Sequence, residues 1–325
     1  MVRAMPTLHL PATRDEWLKL RHAHIGSTES AALFGLSQYA TAYEIAVAKK
    51  SAEPADWEGN ERTKWGQRLE ASIATGIEAD YGVLIEDMPR YAVHSETRMG
   101  SSFDFKIAAL DDACYMDLLT DEVLRDMVSK HGPGVLEIKN VDSLIYKQQW
   151  SEEAPPHIEI QLQHQLECLG LKWGVIAALV GGNRTEIIVR ERDEAVGRAI
   201  VAKVREFWAN LEAGIMPPLS MPEDAAVLIR LHQFADPGKL YDGREDTTLA
   251  NLCREYRAAA DEESAAEKRK KVAHALILER IADAEKALVT GYSVSASMVA
   301  ETEVHYTRKA YRSFRVTEKK AKANG

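Results

Sequence analysis

The segment GVLEIKNV at 134–141 decides the fold of this 325-residue chain. It is an apolar run of strand length, and a Gly-Pro pair at 132–133 marks a turn directly before it. Because side chains alternate along a strand, those of Glu137 and Lys139 lie on the same face. The segment therefore predicts a central strand with a polar site on one face.

A second acid stands in an apolar run, Asp104 within SSFDFKI at 101–107. Phenylalanines flank it, which favours a mid-strand position over a turn or a helix cap. An acid in an apolar strand usually has a partner or a function. Asp104, Glu137 and Lys139 are therefore predicted to converge. The alternative is an ordinary exposed strand face with a modest ion pair.

The acid-x-lysine spacing by itself is a weak signal. Asp104-Phe105-Lys106 and Glu318-Lys319-Lys320 match it as well. Glu137-Ile138-Lys139 differs from both because it combines the spacing with an apolar strand, a preceding turn and an upstream strand that carries an acid.

The rest of the chain predicts an α/β core, in which helices precede and flank a strand meander. Helical spacing of apolar residues marks segments near 13–22, 28–35, 41–50, 62–80, 156–170 and 195–211, with a helical excursion at 111–132. Short β-branched runs mark strands at 83–94, 98–110, 134–141 and 174–190.

The predicted core ends after Pro217-Pro218, so that residues 1–218 form the core and 219–325 a C-terminal helical extension. Within the extension, 245–290 predicts one or two long helices, and 291–316 alternates like short strands.

The C-terminal stretch TRKAYRSFRVTEKKAKANG at 307–325 is strongly basic. It is either a surface that follows DNA phosphates or a solvated terminus.

Composition narrows the class of protein. The formal charge of −9 argues against whole-surface binding to a polyanion but allows a local basic lining. The three dispersed cysteines exclude a disulfide framework and a four-cysteine cluster from one chain. The chain has no long apolar run, and its first residues lack the pattern of a signal peptide, so the expected location is the cytoplasm, with no membrane contact.

The predicted site suits hydrolysis of a phosphodiester. Mg²⁺ binds oxygen ligands and keeps several waters, so Asp104, Glu137 and the backbone carbonyl of Ile138 form a sufficient set. Glu70, on the helix predicted over 62–80, would bind the ion directly or through a water. Such a site activates a water for attack on phosphorus, and Lys139 would orient or deprotonate that water.

Five blocks stand in a specific order along 15–215: WLKLRHAHIGSTES, WGQRLE, SSFDF, LEIKN and HIEIQLQHQLECLGLKWGVIAALVGG. In this order and spacing the chain resembles the lambda exonuclease and YqaJ-like viral recombinase family of the PD-(D/E)XK nuclease superfamily. The resemblance implies a restriction-endonuclease-like core, a central mixed sheet flanked by helices, and a Mg²⁺-dependent exonuclease for which Mn²⁺ can substitute.

Carried over to matching positions, the resemblance implies these catalytic residues: Glu70, Asp104, Glu137, Lys139 and Gln161. Gln163 is the fallback for Gln161 if the register differs, and the alternative for either is an exposed helix amide.

Arg21, Ser27 and Thr28 match the family's N-terminal block that receives the 5′ phosphate of the DNA end. An arginine binds phosphate bidentately, and a helix beginning near Thr28 would offer free N–H groups. The alternative is simple helix capping beside a surface cation. Trp17, in the same block, is expected in the core rather than as a wedge into DNA.

The resemblance also implies the partners: ends of double-stranded DNA, a ring-shaped homo-oligomer (a trimer by analogy) and a single-strand annealing protein. The expected setting is a bacterial host cell, with the protein encoded by a phage or prophage. Degradation would run from 5′ to 3′ and leave a 3′ single strand.

The chain departs from the family pattern in two places. The family often has Ser-x-Asp-Gly where this chain has Ser102-Phe103-Asp104-Phe105, and the insertion at 111–132 separates Asp104 from Glu137. These departures leave two alternatives open, an endonuclease on the same fold and a catalytically silent DNA-binding scaffold. An iron–sulfur helicase-nuclease module is disfavoured by the cysteine count.

Overall fold

The computed structural model describes residues 5–54, 59–88, 90–111, 122–150, 153–303, 305, 307 and 311–317. The chain divides into two compact units, Met1–Val227 and Leu228–Gly325. The first unit extends past Pro217-Pro218, because Thr41 Oγ1 donates to Asp224 Oδ1 at 2.5 Å and Val227 is buried.

The helices are α1 Arg14–Ala23, α2 Ser27–Leu33, α3 Ala42–Lys50, α4 Glu61–Tyr81, α5 Glu122–His131, α6 Ser143–Gln149, α7 Pro156–Leu169, α8 Glu194–Glu212, α9 Ala225–Leu231 and α10 Thr247–Ile281. The strands are β1 Thr7–His9, β2 Val83–Asp87, β3 Tyr91–Val93, β4 Gly100–Ser101, β5 Phe105–Leu110, β6 Gly134–Val141, β7 Trp173–Val180, β8 Arg184–Glu191, β9 Lys286–Val289 and β10 Tyr292–Ser295. Among the residues described, no helix is long and apolar enough to cross a membrane.

A mixed five-stranded sheet organises the first unit, in the order β2-β5-β6-β7-β8. β6 and β7 pair in parallel, and the other neighbours pair antiparallel. The α/β class and the central mixed sheet flanked by helices were predicted correctly. The central position of β6 explains its continuous apolar run, since both of its faces are covered.

Alternation along β6 sends its side chains to two different cores. Val135 and Val141 pack in one cluster with α7 and α8, which contribute Leu162, Leu166 and Ile200. Fully burying each such side chain stabilises the fold by about 1.5–3 kcal/mol. Glu137 and Lys139 share the parity of Val135, so β6 presents them to α7.

The other face of β6 packs against α4 and α5. Leu136 and Ile138 form a second cluster with Ile73 and Ile77 of α4 and with Leu124 of α5. The sheet is thus covered on both sides, and α4 carries Glu70 along the edge of this layer.

Close packing of α7 on the sheet depends on Gly174 in β7. A Cβ at this position would lie 2.8 Å from Leu162 Cδ1 and 3.0 Å from the Val135 carbonyl oxygen. Any larger residue would push α7 away from β6, and with it the side chains that α7 presents to Glu137.

Several predicted strands are divided. The 83–94 and 98–110 segments each form two strands, because β3 and β4 join β1 in a separate three-stranded sheet while β2 and β5 belong to the central one. Asp104 is therefore not mid-strand as predicted: it lies in the non-strand segment 102–104, where the chain passes from one sheet to the other. The 174–190 segment is the hairpin β7-β8.

The C-terminal segment was predicted as one or two long helices over 245–290, followed by short strands over 291–316. α10 is a single helix, and 286–295 forms the two-stranded sheet β9-β10 around Gly291, whose φ is 81°. In the part of the tail that the structure describes, 296–303 and 311–317 form no strand, since an alternating sequence needs a free strand edge to pair with. A helical insertion was predicted over 111–132. Residues 122–131 are helical, and 112–121 lie outside the described residues.

Candidate active site

Glu137 is held by three donors at the centre of the sheet. The residue is 2% exposed. Gln161 Nε2 donates to Oε1 at 2.5 Å, and Gln165 Nε2 donates to Oε2 at 2.6 Å. Lys139 Nζ also bonds Oε1. Every one of these contacts is charge-assisted, so they are stronger than contacts between neutral groups.

The two glutamines come from one face of α7. Pro156 begins this helix at a position where a missing N–H costs nothing, and Gly170 ends it with φ 75°. Gln161 and Gln165 are four residues apart, which places them one turn apart on the same side. Both are buried against β6. The local sequence thus supplies a rigid platform for the Glu137 carboxylate.

Asp104 reaches the same site from the position directly before β5. β5 and β6 pair with Phe105 opposite Leu136, so the residue before Phe105 lies beside Glu137. Asp104 Oδ2 accepts the backbone N–H of Ile138 at 2.8 Å. Burial and the nearby Glu137 carboxylate raise the pKa of Asp104 well above its ordinary value, against the opposing effects of Lys139 and the Ile138 N–H.

The pKa values of Lys139 and Glu70 are also shifted by the charges in this site. Burial lowers the pKa of Lys139, but Glu137 and then Asp104 outweigh that effect and raise it above the usual range. Burial, followed by Glu137, raises the pKa of Glu70, which Lys139 partly offsets. The structure thus brings the predicted catalytic residues into one electrostatic neighbourhood, four of them through direct contacts in the site and Glu70 through charge.

The donor set fits a hard divalent cation. Two carboxylates stand close enough for one to disfavour ionisation of the other, a repulsion that a cation between them relieves. Within the described residues, no group of three or more histidine, cysteine, aspartate and glutamate side chains is arranged to hold a metal. One or two carboxylates with substrate phosphate suffice for Mg²⁺.

The segment that contains this site matches a known family. Residues 16–172 match the family model of the YqaJ-like viral recombinase domain. The match contains Asp104, Glu137, Lys139 and the α7 glutamines, and its YqaJ-like assignment confirms the resemblance drawn from the five sequence blocks.

One curated protein is similar to this chain in sequence. The chain is 26% identical over 208 residues to the uncharacterized protein YqaJ of Bacillus subtilis (strain 168), a match that covers 63% of this chain and 59% of that protein. The chain therefore matches about three fifths of the length of this curated relative.

Two solved structures are similar in shape. An alkaline exonuclease (LHK-Exo) from Laribacter hongkongensis matches with 17% identity and a TM-score of 0.44, over 61% of this chain and 93% of that one. A phage-related exonuclease from Haemophilus somnus 129PT matches with 12% identity and a TM-score of 0.37, over 61% of this chain and 99% of that one.

The matched segment 16–172 also contains the N-terminal block predicted to bind phosphate. Arg21 lies in the last turn of α1, half-buried, with its guanidinium carbon 4.7 Å from the centre of the Trp17 ring. Thr28 is exposed. Ser27 is buried and accepts a hydrogen bond from Ser101 Oγ at 2.9 Å, so its hydroxyl serves the packing of α2 on β4.

The first turn of α2 already has a carboxylate. α2 begins at Ser27 after the N-cap Gly26, and Glu29 accepts the N–H of Gly26 at 2.8 Å. Lys49 neutralises Glu29 at 2.8 Å and also donates to the carbonyl of Arg21 at 2.7 Å. The helix end is therefore less free for an anion than the sequence suggests, which leaves Arg21 and Thr28 as the accessible groups.

A hydrogen bond connects α1 to the loop that leads to Asp104. Trp17 Nε1 donates to Ser102 Oγ at 2.9 Å, two residues before Asp104. Trp17 was predicted to be a core residue, but it is only half-buried. It fixes the position of α1 relative to the loop.

Gln165 is the contact that sequence reasoning missed. The signal for it was the four-residue spacing from Gln161, which places both amides on one face of α7. Gln163 faces elsewhere: it donates to the Glu191 carbonyl at 2.9 Å and accepts from the Asp193 N–H at 2.8 Å. Gln161, rather than the fallback Gln163, is therefore the amide that reaches Glu137.

Proposed function

We propose that this protein is a Mg²⁺-dependent nuclease that digests linear double-stranded DNA from its 5′ ends. The observation that carries the proposal is the buried Glu137, with Lys139 on one oxygen and an α7 amide on each oxygen, beside Asp104 in a YqaJ-like domain. The pKa values of Asp104 and Lys139 are shifted by burial and by the charged neighbours, and such shifts cluster at functional sites.

Asp104, Glu137 and the Ile138 carbonyl would hold the Mg²⁺, with Glu70 contributing directly or through a water. When bound, the ion lowers the pKa of a coordinated water and offsets charge on the phosphate. Mn²⁺, which accepts the same oxygen ligands, would substitute.

Lys139 and Gln161 act on the reacting groups themselves. The Lys139 ammonium stands beside Glu137, where it would orient the attacking water and stabilise the negative charge that develops on the phosphate. Its raised pKa favours this cationic role over proton abstraction. Gln161 holds Glu137 and presents its amide to the water or to a phosphate oxygen.

The direction of digestion is set by the hydrogen bond between Trp17 and Ser102, which connects the phosphate-binding block to the loop before Asp104. Arg21 stacks on Trp17, and Trp17 bonds the loop that leads to Asp104, so a terminal phosphate on Arg21 and Thr28 would lie at a fixed place relative to the site. Ser27, being buried, would support α2 rather than touch the phosphate. Digestion from 5′ to 3′ would leave a 3′ single strand for an annealing protein.

The remaining properties follow from the family resemblance. A ring-shaped homo-oligomer, a trimer by analogy, would enclose the DNA and keep the enzyme on its substrate. The setting would be the cytoplasm of a bacterial cell that carries the phage or prophage.

The test uses purified wild type, Glu137→Gln and Lys139→Met, with Mg²⁺ and three DNAs: linear duplex with a 5′ phosphate, linear duplex with a 5′ hydroxyl, and closed circle. Wild type should degrade the phosphorylated linear DNA fastest and spare the circle. Both variants should lose at least about 100-fold in kcat, since a key electrostatic contact is worth that much.

Lys106→Met is the matched control, because Lys106 follows Asp104 at the same spacing but pairs with Glu86 at 2.7 Å on the outer strands. It should keep full activity. Cutting of the circle would instead indicate an endonuclease, and no cleavage of any DNA with Mg²⁺ or Mn²⁺ would indicate a silent DNA-binding scaffold.

A further inference from the structure

The long helix α10 is mostly exposed within the described part of the chain. It comprises 35 residues, all of which the structure describes, and none of them is buried. At 1.5 Å per residue it is roughly 50 Å long. In proteins, most of the stability of a helix comes from packing of an apolar face rather than from helix propensity.

α10 has such a stripe at both ends. Leu249, Leu252 and Tyr256 follow one another at spacings of three and four, and Ile277 and Ile281 continue on the same side of the helix. Leu249, Leu252, Tyr256 and Ile277 are each more than a third exposed. Phe314 lies edge-on to Tyr256, with ring centres 5.2 Å apart, and still leaves Tyr256 47% exposed.

Between its apolar ends, the stripe carries charge of opposite sign on the two sides of its midpoint. An acidic block, 261–263, precedes a basic block, 268–271. Glu263 and Lys270 stand on the same side as Leu252 and Ile281.

This order of charges distinguishes the two ways in which α10 could meet a copy of itself. In a parallel pair, Glu263 would face Glu263 and Lys270 would face Lys270. In an antiparallel pair centred between residues 266 and 267, Glu263 faces Lys270 twice, Leu252 faces Ile281 and Tyr256 faces Ile277. Opposite charges and apolar residues are then both matched over the overlapping stretch 252–281.

We infer that α10 is a self-association surface, on which α10 of a second copy of this chain packs antiparallel. The apolar ends supply the attraction, while the Glu263-Lys270 layers fix direction and register, the role that polar positions have in coiled coils. This surface lies outside the YqaJ-like match at 16–172 and does not depend on the proposed nuclease activity.

Cysteine cross-linking of the full-length chain tests the register. Two proteins are made in a background with Cys114 and Cys253 replaced by serine: Leu252→Cys and Ile281→Cys. On mild oxidation the mixture of both should give a covalent dimer, whereas each protein alone should not, because like positions lie roughly 43 Å apart in the antiparallel pair. Dimers from each protein alone would indicate a parallel pair, and no dimer in the mixture would indicate no pairing; either result overturns the inference.

Charge reversal provides an independent measurement. Glu263→Lys and Lys270→Glu each bring like charges together in both layers, and each should raise the dissociation constant for self-association by roughly tenfold or more. The double variant Glu263→Lys with Lys270→Glu should restore it. Sedimentation gives the dissociation constants, and circular dichroism checks that the helix is intact.

Two results of this measurement would overturn the inference: single variants that associate as the wild type does, or a Lys270→Glu variant whose only defect is weaker binding to duplex DNA. The second would assign the basic block to nucleic acid instead.

Discussion

Gln165 Nε2 lies 2.6 Å from Oε2 of Glu137, on the carboxylate oxygen that Lys139 and Gln161 leave free. The carboxylate is thus fixed at both oxygens and cannot rotate about its last bond. Fixing a catalytic carboxylate before the substrate arrives removes a reorganisation that would otherwise add to the barrier. Gln165 is therefore a positioning residue for Glu137.

Replacing Gln165 should impair turnover without impairing DNA binding. We expect Gln165→Leu to lower kcat by about 10- to 100-fold, the usual effect of removing a residue that orients a metal ligand, with KM for DNA nearly unchanged. Gln165→Glu should be at least as damaging, because it places a second anion against Glu137.

Gln163→Leu is the matched control for this experiment. Gln163 is the same residue type on the same helix and is also buried, but its amide bonds the backbone of Glu191 and Asp193. It should lower the melting temperature and leave kcat intact. Equal losses of kcat in both variants would mean that Gln165 acts only through the stability of α7.

The charged carboxylate of Asp104 should lower the stability of the folded protein when no metal is bound. Its folded-state pKa lies above the ordinary value because of burial and Glu137, so its charged form destabilises the fold at neutral pH. Asp104→Asn removes that charge and should raise Tm in chelator, by about 2–4 °C for each kcal/mol relieved in a domain of this size. The same variant should lose nuclease activity.

Thermal unfolding with and without Mg²⁺ separates these effects. Mg²⁺ should raise the Tm of wild type by mass action but not that of Asp104→Asn. If Asp104→Asn melted below wild type in chelator, the hydrogen bond to Ile138 would outweigh the repulsion from Glu137.

The sequence predicts the site better than it predicts the chain path around it. Alternation along one strand was enough to place Glu137 and Lys139 together, because every residue of β6 is paired or covered. Asp104 was expected mid-strand, since SSFDFKI has strand composition throughout. The change of sheet at 102–104 depends on which strands pair, and that is decided by contacts far away in the sequence.

The same limit applies to α7 and α10. A spacing of four residues puts Gln161 and Gln165 on one face, but only the position of β6 shows that this face meets Glu137. For α10, the absence of glycine and proline from 247 to 281 favours one continuous helix over a hairpin. Composition alone did not decide between one helix and two.

His164 should make the fold sensitive to acid. It is fully buried, with Nδ1 2.5 Å from Ser30 Oγ and Nε2 3.0 Å from the Gly100 carbonyl oxygen. Burial lowers the pKa of His164 to about 3. The hydrogen bond to Gly100 raises this pKa and the nearby His94 lowers it, and burial is the largest of the three effects. The unfolded chain, with a pKa near 6.5, therefore binds this proton first as the pH falls.

The stability that neutral His164 contributes is complete above pH 6.5 and is lost as the pH falls toward 3. Between pH 6.5 and 4.5 the free energy of unfolding should decrease by about 2 kcal/mol from this residue. Urea unfolding of wild type and His164→Asn over that range gives the comparison. The variant should be weaker at pH 7 but lose less on acidification; parallel curves would mean that His164 does not titrate between the two states.

Arg21 should determine the preference for a phosphorylated end. Its guanidinium is held over Trp17, and its backbone carbonyl is fixed by Lys49, so Arg21→Ala removes a positioned cation with little effect on the fold. We expect the ratio of kcat/KM for 5′-phosphate over 5′-hydroxyl duplex to fall by roughly tenfold or more, since a hydrogen bond to a charged group is worth about 1.5–3 kcal/mol.

Arg14→Ala is the control, because Arg14 lies on the same helix and 5.9 Å from the same ring. It should keep the ratio. An unchanged ratio in Arg21→Ala, with activity on both DNAs intact, would mean that the end of the duplex is recognised elsewhere and that the N-terminal block only caps and packs its helices.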